Sequence, residues 1–149
     1  MNRDFVEMLS ALCDAHAEFL VVGAHALAVH GCPRATGDLG IWVRPSADNS
    51  ERVLAALKVF GAPLFDVTRE DLSAPGIVFQ MGVVPCRIDI LTGISGVTFE
   101  EAWPERVQQT IEGLDLGFIS RAHLIVNKRA SGRAKDLADV EALEGTSED

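Results

Sequence analysis

Two aspartates in this sequence stand where acidic side chains do not serve packing. Asp38 opens the run Asp38-Leu-Gly-Ile-Trp-Val43, and Asp89 interrupts the apolar run Cys86-Arg-Ile-Asp-Ile-Leu91. In an extended strand, residues i and i+2 face the same way. Asp38, Gly40 and Trp42 therefore share one face, with Leu39, Ile41 and Val43 on the core side. Arg87, Asp89 and Leu91 likewise lie opposite Cys86, Ile88 and Ile90. Desolvating an unpaired carboxylate is costly. Asp89 must open to a cleft, pair with a cation such as Arg87 or Arg34, or bind a metal ion, and spacing alone leaves all three open.

A second group of chemically capable residues is basic. Arg121, Lys128, Arg129, Arg133 and Lys135 fall in one short stretch near the C-terminus. Lys128, Arg129, Arg133 and Lys135 either meet phosphates of a nucleotide or nucleic-acid acceptor, or form a solvated helix face balanced by Asp136 and Asp139. Arg34 and Thr36, just ahead of Asp38, either position phosphate or hold a turn. His25, His30, Cys32 and Cys86 raise the question of zinc, but no pair has a recognised ligand spacing, and buried thiols with helix-surface histidines are the simpler reading. Trp42 is either a platform for a base or packing. No serine sits in a nucleophile elbow, so hydrolase chemistry has no support.

Composition bounds these readings. At 149 residues the chain fits one domain able to bury a core without disulfides. We expect that domain over 1–144, with 145–149 a frayed tail. With 48% hydrophobic and 23% charged residues it has the profile of a globular protein. A formal charge of -9 argues against broad nucleic-acid binding, which neutralises many phosphates with Lys and Arg. Three widely spaced cysteines argue against a disulfide framework. No apolar run reaches membrane-spanning length and no signal-peptide pattern opens the chain, so the expectation is a cytoplasmic protein without membrane contact.

The elements that must hold the acids follow from periodicity. A helix is predicted over Asp4–His16 from Phe5, Met8, Leu9, Leu12 and Ala15. Glu18 to Val22 reads as a strand, Gly23 as a turn, and Ala24 to Gly31 as a helix with its terminal glycine. Then come a strand at Leu39–Val43 and a helix at Ala47–Phe60. Ile77–Val83 and Cys86–Leu91 read as an antiparallel hairpin around Val84-Pro85. Weaker strands at Val107–Ile111 and Leu116–Ile119 precede a helix capped by Ser120 and reaching about Ala130, and a last helix over Ala134–Leu143. The pattern predicts an α/β (α+β) domain with a mixed β-sheet and flanking helices.

Four segments, in order, resemble the nucleotidyltransferases with the DNA polymerase β-like fold, specifically their small minimal or toxin-type bacterial branch (AbiEii-like). They are Phe19-Leu-Val-Val-Gly-Ala-His-Ala-Leu27, Arg34-Ala-Thr-Gly-Asp-Leu-Gly-Ile-Trp-Val43, Arg87-Ile-Asp-Ile-Leu91, and the basic Asn127 to Val140 with its K-x-x-x-G-R-x-K-D-x-x-D character. The resemblance implies transfer of a nucleoside monophosphate from an NTP to a hydroxyl on RNA (tRNA-like), protein or a small molecule, with an antitoxin as partner. It also implies two Mg²⁺ (or Mn²⁺) ions held by Asp38 and Asp89 as catalytic and metal-binding residues. It places Gly23, Ala24, Arg34, Thr36, Lys128, Arg133 and Lys135 around the nucleotide, with backbone N–H groups after Gly23 facing phosphate. The family's second aspartate of its D-x-D pair is Gly40 here. A glycine supplies no ligand, so the expected activity is reduced or lost, unless the site is rearranged around another acid. The alternative is a non-catalytic module that binds nucleotide or a partner.

Overall fold

The computed structural model describes residues 1–34, 37–62, 67–82 and 86–146. Its first helix, α1 (Arg3–Asp14), is capped by Asn2, whose side-chain oxygen accepts the Asp4 N–H, and it buries Phe5, Met8, Leu9 and Leu12. Strand β1 (Phe19–Val22) is buried on both faces, which accounts for its unbroken apolar run. Gly23 then turns the chain into the short helix α2 (Ala24–Val29). Strand β2 (Leu39–Val43) and helix α3 (Ala47–Phe60) have the limits expected from sequence. Ser46 caps α3, and Gly61, left-handed at φ 89°, ends it.

The hairpin is present as β3 (Val78–Met81) against β4 (Ile88–Leu91), antiparallel, although Cys86 and Arg87 lie outside the strand. Val83, Val84 and Pro85 lie outside the described residues. Two short helices were not anticipated, α4 (Arg69–Ser73) and α5 (Phe99–Ala102), the latter continued by a 3₁₀ turn over Trp103–Glu105. Each begins with a reciprocal capping box, Thr68 with Asp71 and Thr98 with Glu101. Strands β5 (Val107–Ile111) and β6 (Leu114–Phe118) form a tight hairpin. Its two turn residues, Glu112 and Gly113, both have positive φ, as this turn geometry demands. Helices α6 (Arg121–Ser131) and α7 (Ala134–Glu144) follow, separated by Gly132 at φ 67°.

The strands form one mixed sheet in the order β3-β4-β2-β1-β6-β5. β2 runs parallel to β4 and antiparallel to β1, while β1 runs parallel to β6. One sheet face carries Ile41, Val43, Ile88 and Ile90, all buried. The other is covered at Trp42 by Phe99 of α5, edge-on at 5.1 Å, with Phe99 stacked on Trp103 at 5.4 Å. Trp42 is therefore packing rather than an open platform, being 1% exposed. Arg121 donates to the carbonyl of Thr146 at 2.9 Å and to its hydroxyl at 3.1 Å. Residues 147–149 of the expected tail lie outside the described residues.

One buried amide fixes the junction where β1 begins and β2 ends. Asn49, in the first turn of α3, accepts the Glu18 N–H at 2.7 Å and donates to the carbonyls of Glu18 and Arg44 at 2.9 and 3.0 Å. Replacing it with alanine leaves the Glu18 N–H without this partner, while the Glu18 and Arg44 carbonyls keep the N–H groups of Arg44 and Ser46. Asn49→Ala is expected to lower stability by about 1–3 kcal/mol. Urea unfolding with an unchanged slope and a lower midpoint is the readout, and an unshifted midpoint contradicts it.

Candidate active site

Pairing of β2 with β4 places Gly40 opposite Asp89 and Leu39 opposite Ile88, and the Leu39 N–H donates to the Arg87 carbonyl at 2.9 Å. Asp38 and Arg87 thus lie side by side at the entry to the two strands. Arg87 closes the arrangement. Its Nε donates to Asp89 Oδ1 at 3.0 Å, and its Nη2 donates to Asp38 Oδ2 at 3.1 Å and Asp89 Oδ2 at 3.4 Å. One guanidinium fork spans both carboxylates. Asp89 is paired with Arg87, and both carboxylates stay accessible: side-chain exposure is 38% for Asp38 and 19% for Asp89.

The glycine turn reaches the same end of the sheet. β1 runs antiparallel to β2 with Val22 opposite Gly40, so Gly23 emerges beside the entry to β2. Gly23 has φ 70° and a Cβ there would meet nothing within 4 Å, so the turn faces open space and Ala24 begins α2 directly after it. At Gly40 the backbone is not left-handed, and a Cβ would approach Val22 Cγ2 to 3.1 Å, close enough that the valine must yield slightly. Two carboxylates converging on one cation are a donor set that suits Mg²⁺, which takes few protein oxygens and fills its shell with water and phosphate. No cluster of three His, Cys, Asp or Glu occurs among the described residues.

The basic segment is tied to two acids of α7. Asp136 and Asp139 on α7 are 1% and 2% exposed, and cations surround them. Lys128 Nζ lies 3.4 Å from Asp136 and 3.1 Å from Asp139, while Arg133 Nε donates to Asp136 at 2.7 Å. Arg34 pairs with Asp139. The two acids of the expected solvated face are buried and Lys128 nearly so, while Arg34 and Arg133 pair with them from the surface, at 45% and 66% side-chain exposure. Lys135 is exposed, and Thr36 lies outside the described residues. Through Arg34, this network is joined to the segment that leads into Asp38.

The histidines and thiols do not gather. His30 Nε2 lies 2.8 Å from the Ile119 carbonyl, and Cys86 Sγ accepts from Asn2. His25 packs edge-on against Phe5. Its burial, with a smaller contribution from the N-terminal ammonium, pushes the imidazole below its ordinary range, so it is neutral near pH 7.

A mixed sheet that sets two carboxylates beside a glycine turn into a helix has the nucleotidyltransferase fold, and comparison with solved structures agrees. A lincosamide antibiotic adenylyltransferase solved with lincomycin bound is similar over 99% of this chain and 98% of its own, with TM-score 0.64 and 13% identity. A candidate nucleotidyltransferase from Thermotoga maritima is similar over 95% of this chain and 89% of its own, with TM-score 0.57 and 12% identity. No family model matches the sequence, and no curated protein does. No helix among the described residues is long and apolar enough to cross a membrane.

The buried network has a pH signature. Burial of Asp136 opposes its charge, but the Arg133 hydrogen bond and the charges of Lys128 and Arg133 outweigh it and hold the carboxyl below the usual aspartate range. A depressed folded-state pKa favours the fold at every pH above the unfolded value of about 4, and that contribution fades as the pH falls through this range to the folded-state value. Asp136→Asn is expected to be less stable than wild type at pH 7, with the gap closing below about pH 4. Urea midpoints at a series of pH values measure this, and a gap independent of pH refutes it.

Proposed function

We propose that this chain transfers a nucleoside monophosphate from an NTP to a hydroxyl acceptor, with activity held low by Gly40. The observation that carries this is the convergence of Asp38 and Asp89 on one charge, at the sheet end where the Gly23 turn emerges. In the reaction the acceptor oxygen forms a bond to the α-phosphorus, the bond to the β-phosphate bridging oxygen breaks, and pyrophosphate leaves with that electron pair. The acceptor's proton passes to a carboxylate oxygen of Asp89. Asp38 and Asp89 would hold Mg²⁺ or Mn²⁺, which when bound supplies charge neutralisation for the triphosphate. The backbone after Gly23, with Ala24 at the start of α2, faces phosphate, and the exposed Lys135 and Arg133 lie on the candidate phosphate side of the C-terminal segment with Arg34 and Lys128. For this, Arg87 must release at least one carboxylate.

The neighbour solved with lincomycin is an adenylyltransferase, which makes ATP the first donor to test and a small molecule one acceptor class beside RNA and protein. We read residues 1–144 as one cytoplasmic domain, and the toxin-type resemblance adds an antitoxin as the expected protein partner. A second reading has a specific observation behind it. With Gly40 in place of an acid and Arg87 bonded to both remaining carboxylates, the site carries less uncompensated negative charge than three acids would, as suits a module that binds nucleotide or a partner and transfers nothing.

The test uses each labelled NTP with Mg²⁺ or Mn²⁺ and, as acceptors, total RNA, a protein extract or lincomycin. Gly40→Asp, alone and with Val22→Ala to relieve the close contact, is expected to raise transfer roughly a hundredfold, and Asp38→Asn or Asp89→Asn in that background to abolish it. Folded variants that bind NTP and transfer to no acceptor overturn the transferase reading in favour of the binding module. Arg87→Gln is expected to tighten Mn²⁺ binding about tenfold by removing the internal cation. Equal Mn²⁺ affinity in titrations followed by electron paramagnetic resonance removes the metal assignment.

A further inference from the structure

The sheet ends at β5, and the register of its hairpin fixes which backbone groups face outward. The two-residue turn makes Ile111 and Leu114 the closing hydrogen-bonded pair, so Val107, Gln109 and Ile111 direct their N–H and C=O groups at β6. Gln108 and Thr110 stand at the alternate positions and direct theirs away from it. The other side of β6 agrees with this phase. Ile119 is in step with Gly117 and Asp115, the residues opposite Gln108 and Thr110, and its N–H points away from β5 to the Val21 carbonyl of β1 at 3.2 Å. Among the described residues no backbone group outside β6 bonds to β5, and Gln108, Gln109 and Thr110 are exposed.

Natural proteins guard such an edge against a second chain with lysine, proline, a bulge or an inward-pointing charge. The strand Val107-Gln-Gln-Thr-Ile111 has no charge and no proline, and it pairs with β6 without a break in register. Laid antiparallel against a second copy of itself about a twofold axis at Gln109, it is self-complementary. Gln108 then stands opposite Thr110 of the second copy, and the outward N–H and C=O groups of both meet in hydrogen-bonded pairs. Gln109 meets its own copy as a non-hydrogen-bonded pair. Val107 meets Ile111 on the face through which Leu116 and Phe118 enter the core, and each is only half-buried in the single chain. The flanking positions carry opposite charge, since the same register sets Arg106 of each copy level with Glu112 of the other. Within one chain Arg106 has no acidic partner among the described residues, only the Trp103 carbonyl and ring, and Glu112 is 53% exposed with the terminal ammonium 3.8 Å away.

We propose that β5 is an interface for a second copy of this chain, giving a twofold dimer whose two sheets run into one across Gln109. The backbone supplies the attraction, and the pairs of Val107 with Ile111 add apolar contact. The opposite charges at the ends select the register, because a slip of two residues either way uncouples them. One strand pair is a small interface and the charge of -9 on each copy opposes association, so the dimer is weak, with half-conversion at about 100 µM in salt that screens the repulsion. The proposal stands independently of nucleotide transfer.

Sedimentation equilibrium of the full chain over roughly 10 to 1,000 µM tests it. The mass is expected to rise from that of the 16.0 kDa chain toward twice that value. Thr110→Pro removes an outward N–H that the β5–β6 pairing does not use, and it is expected to stay monomeric throughout. Glu112→Lys sets like charges level at both ends and is expected to weaken the dimer about fivefold. If Thr110→Pro does not fold, oxidative crosslinking in a Cys86→Ser background decides. Gln109→Cys is expected to link two copies by a disulfide at the axis, and Gln108→Cys is expected not to. A chain monomeric at every concentration, a dimer that Thr110→Pro leaves unchanged, or equal crosslinking from the two cysteine variants overturns the proposal.

Discussion

Two like charges brought side by side by strand register must be compensated, and much of the site end of this molecule is organised by that requirement. β2 and β4 are parallel neighbours, so Asp38 and Asp89 approach one another whether or not a ligand is bound. Arg87 meets part of the demand from within, and because it precedes β4 by one residue its side chain reaches both acids. An internal guanidinium and an external divalent ion are competing answers to the same electrostatic problem. Which answer prevails depends on how much negative charge the strands present. An acid at residue 40 adds a third carboxylate, whereas glycine leaves one cation facing two acids.

The same principle operates in the α6–α7 pair, where the acids are buried rather than half-open. Asp136 and Asp139 are removed from water by helix packing, and Lys128, Arg133 and Arg34 follow them. Breaking one partner there strands a charge, so the segment is far less tolerant than a surface cluster of the same composition. It also gives the C-terminal helices a mechanical connection to the residues ahead of Asp38. Sequence that resembles a phosphate-binding motif is at the same time the clasp that docks these helices.

Much of the fold was legible because its signals are local. β2, α3 and β5 could be read residue for residue from alternation, helical period and the glycines that stop them. The short helices α4 and α5 escaped because four or five residues carry no period, yet their Thr-x-x-Asp and Thr-x-x-Glu capping boxes were present as signals. The site was half legible. The i, i+2 rule identified Asp89 as a carboxylate needing a reason and offered Arg87 as partner, but that one arginine also serves Asp38, 49 residues away, is a product of strand order. The role of Asn49 was invisible for the same cause, since its partners come from separate elements.

Gly40 carries a consequence outside protein chemistry. Its backbone conformation is open to any residue, and the valine beside it is its one close neighbour. A glycine codon ending in a pyrimidine becomes an aspartate codon by a single transition at its second base. The acidic and neutral versions of this strand are thus adjacent in mutational space, with no refolded intermediate between them.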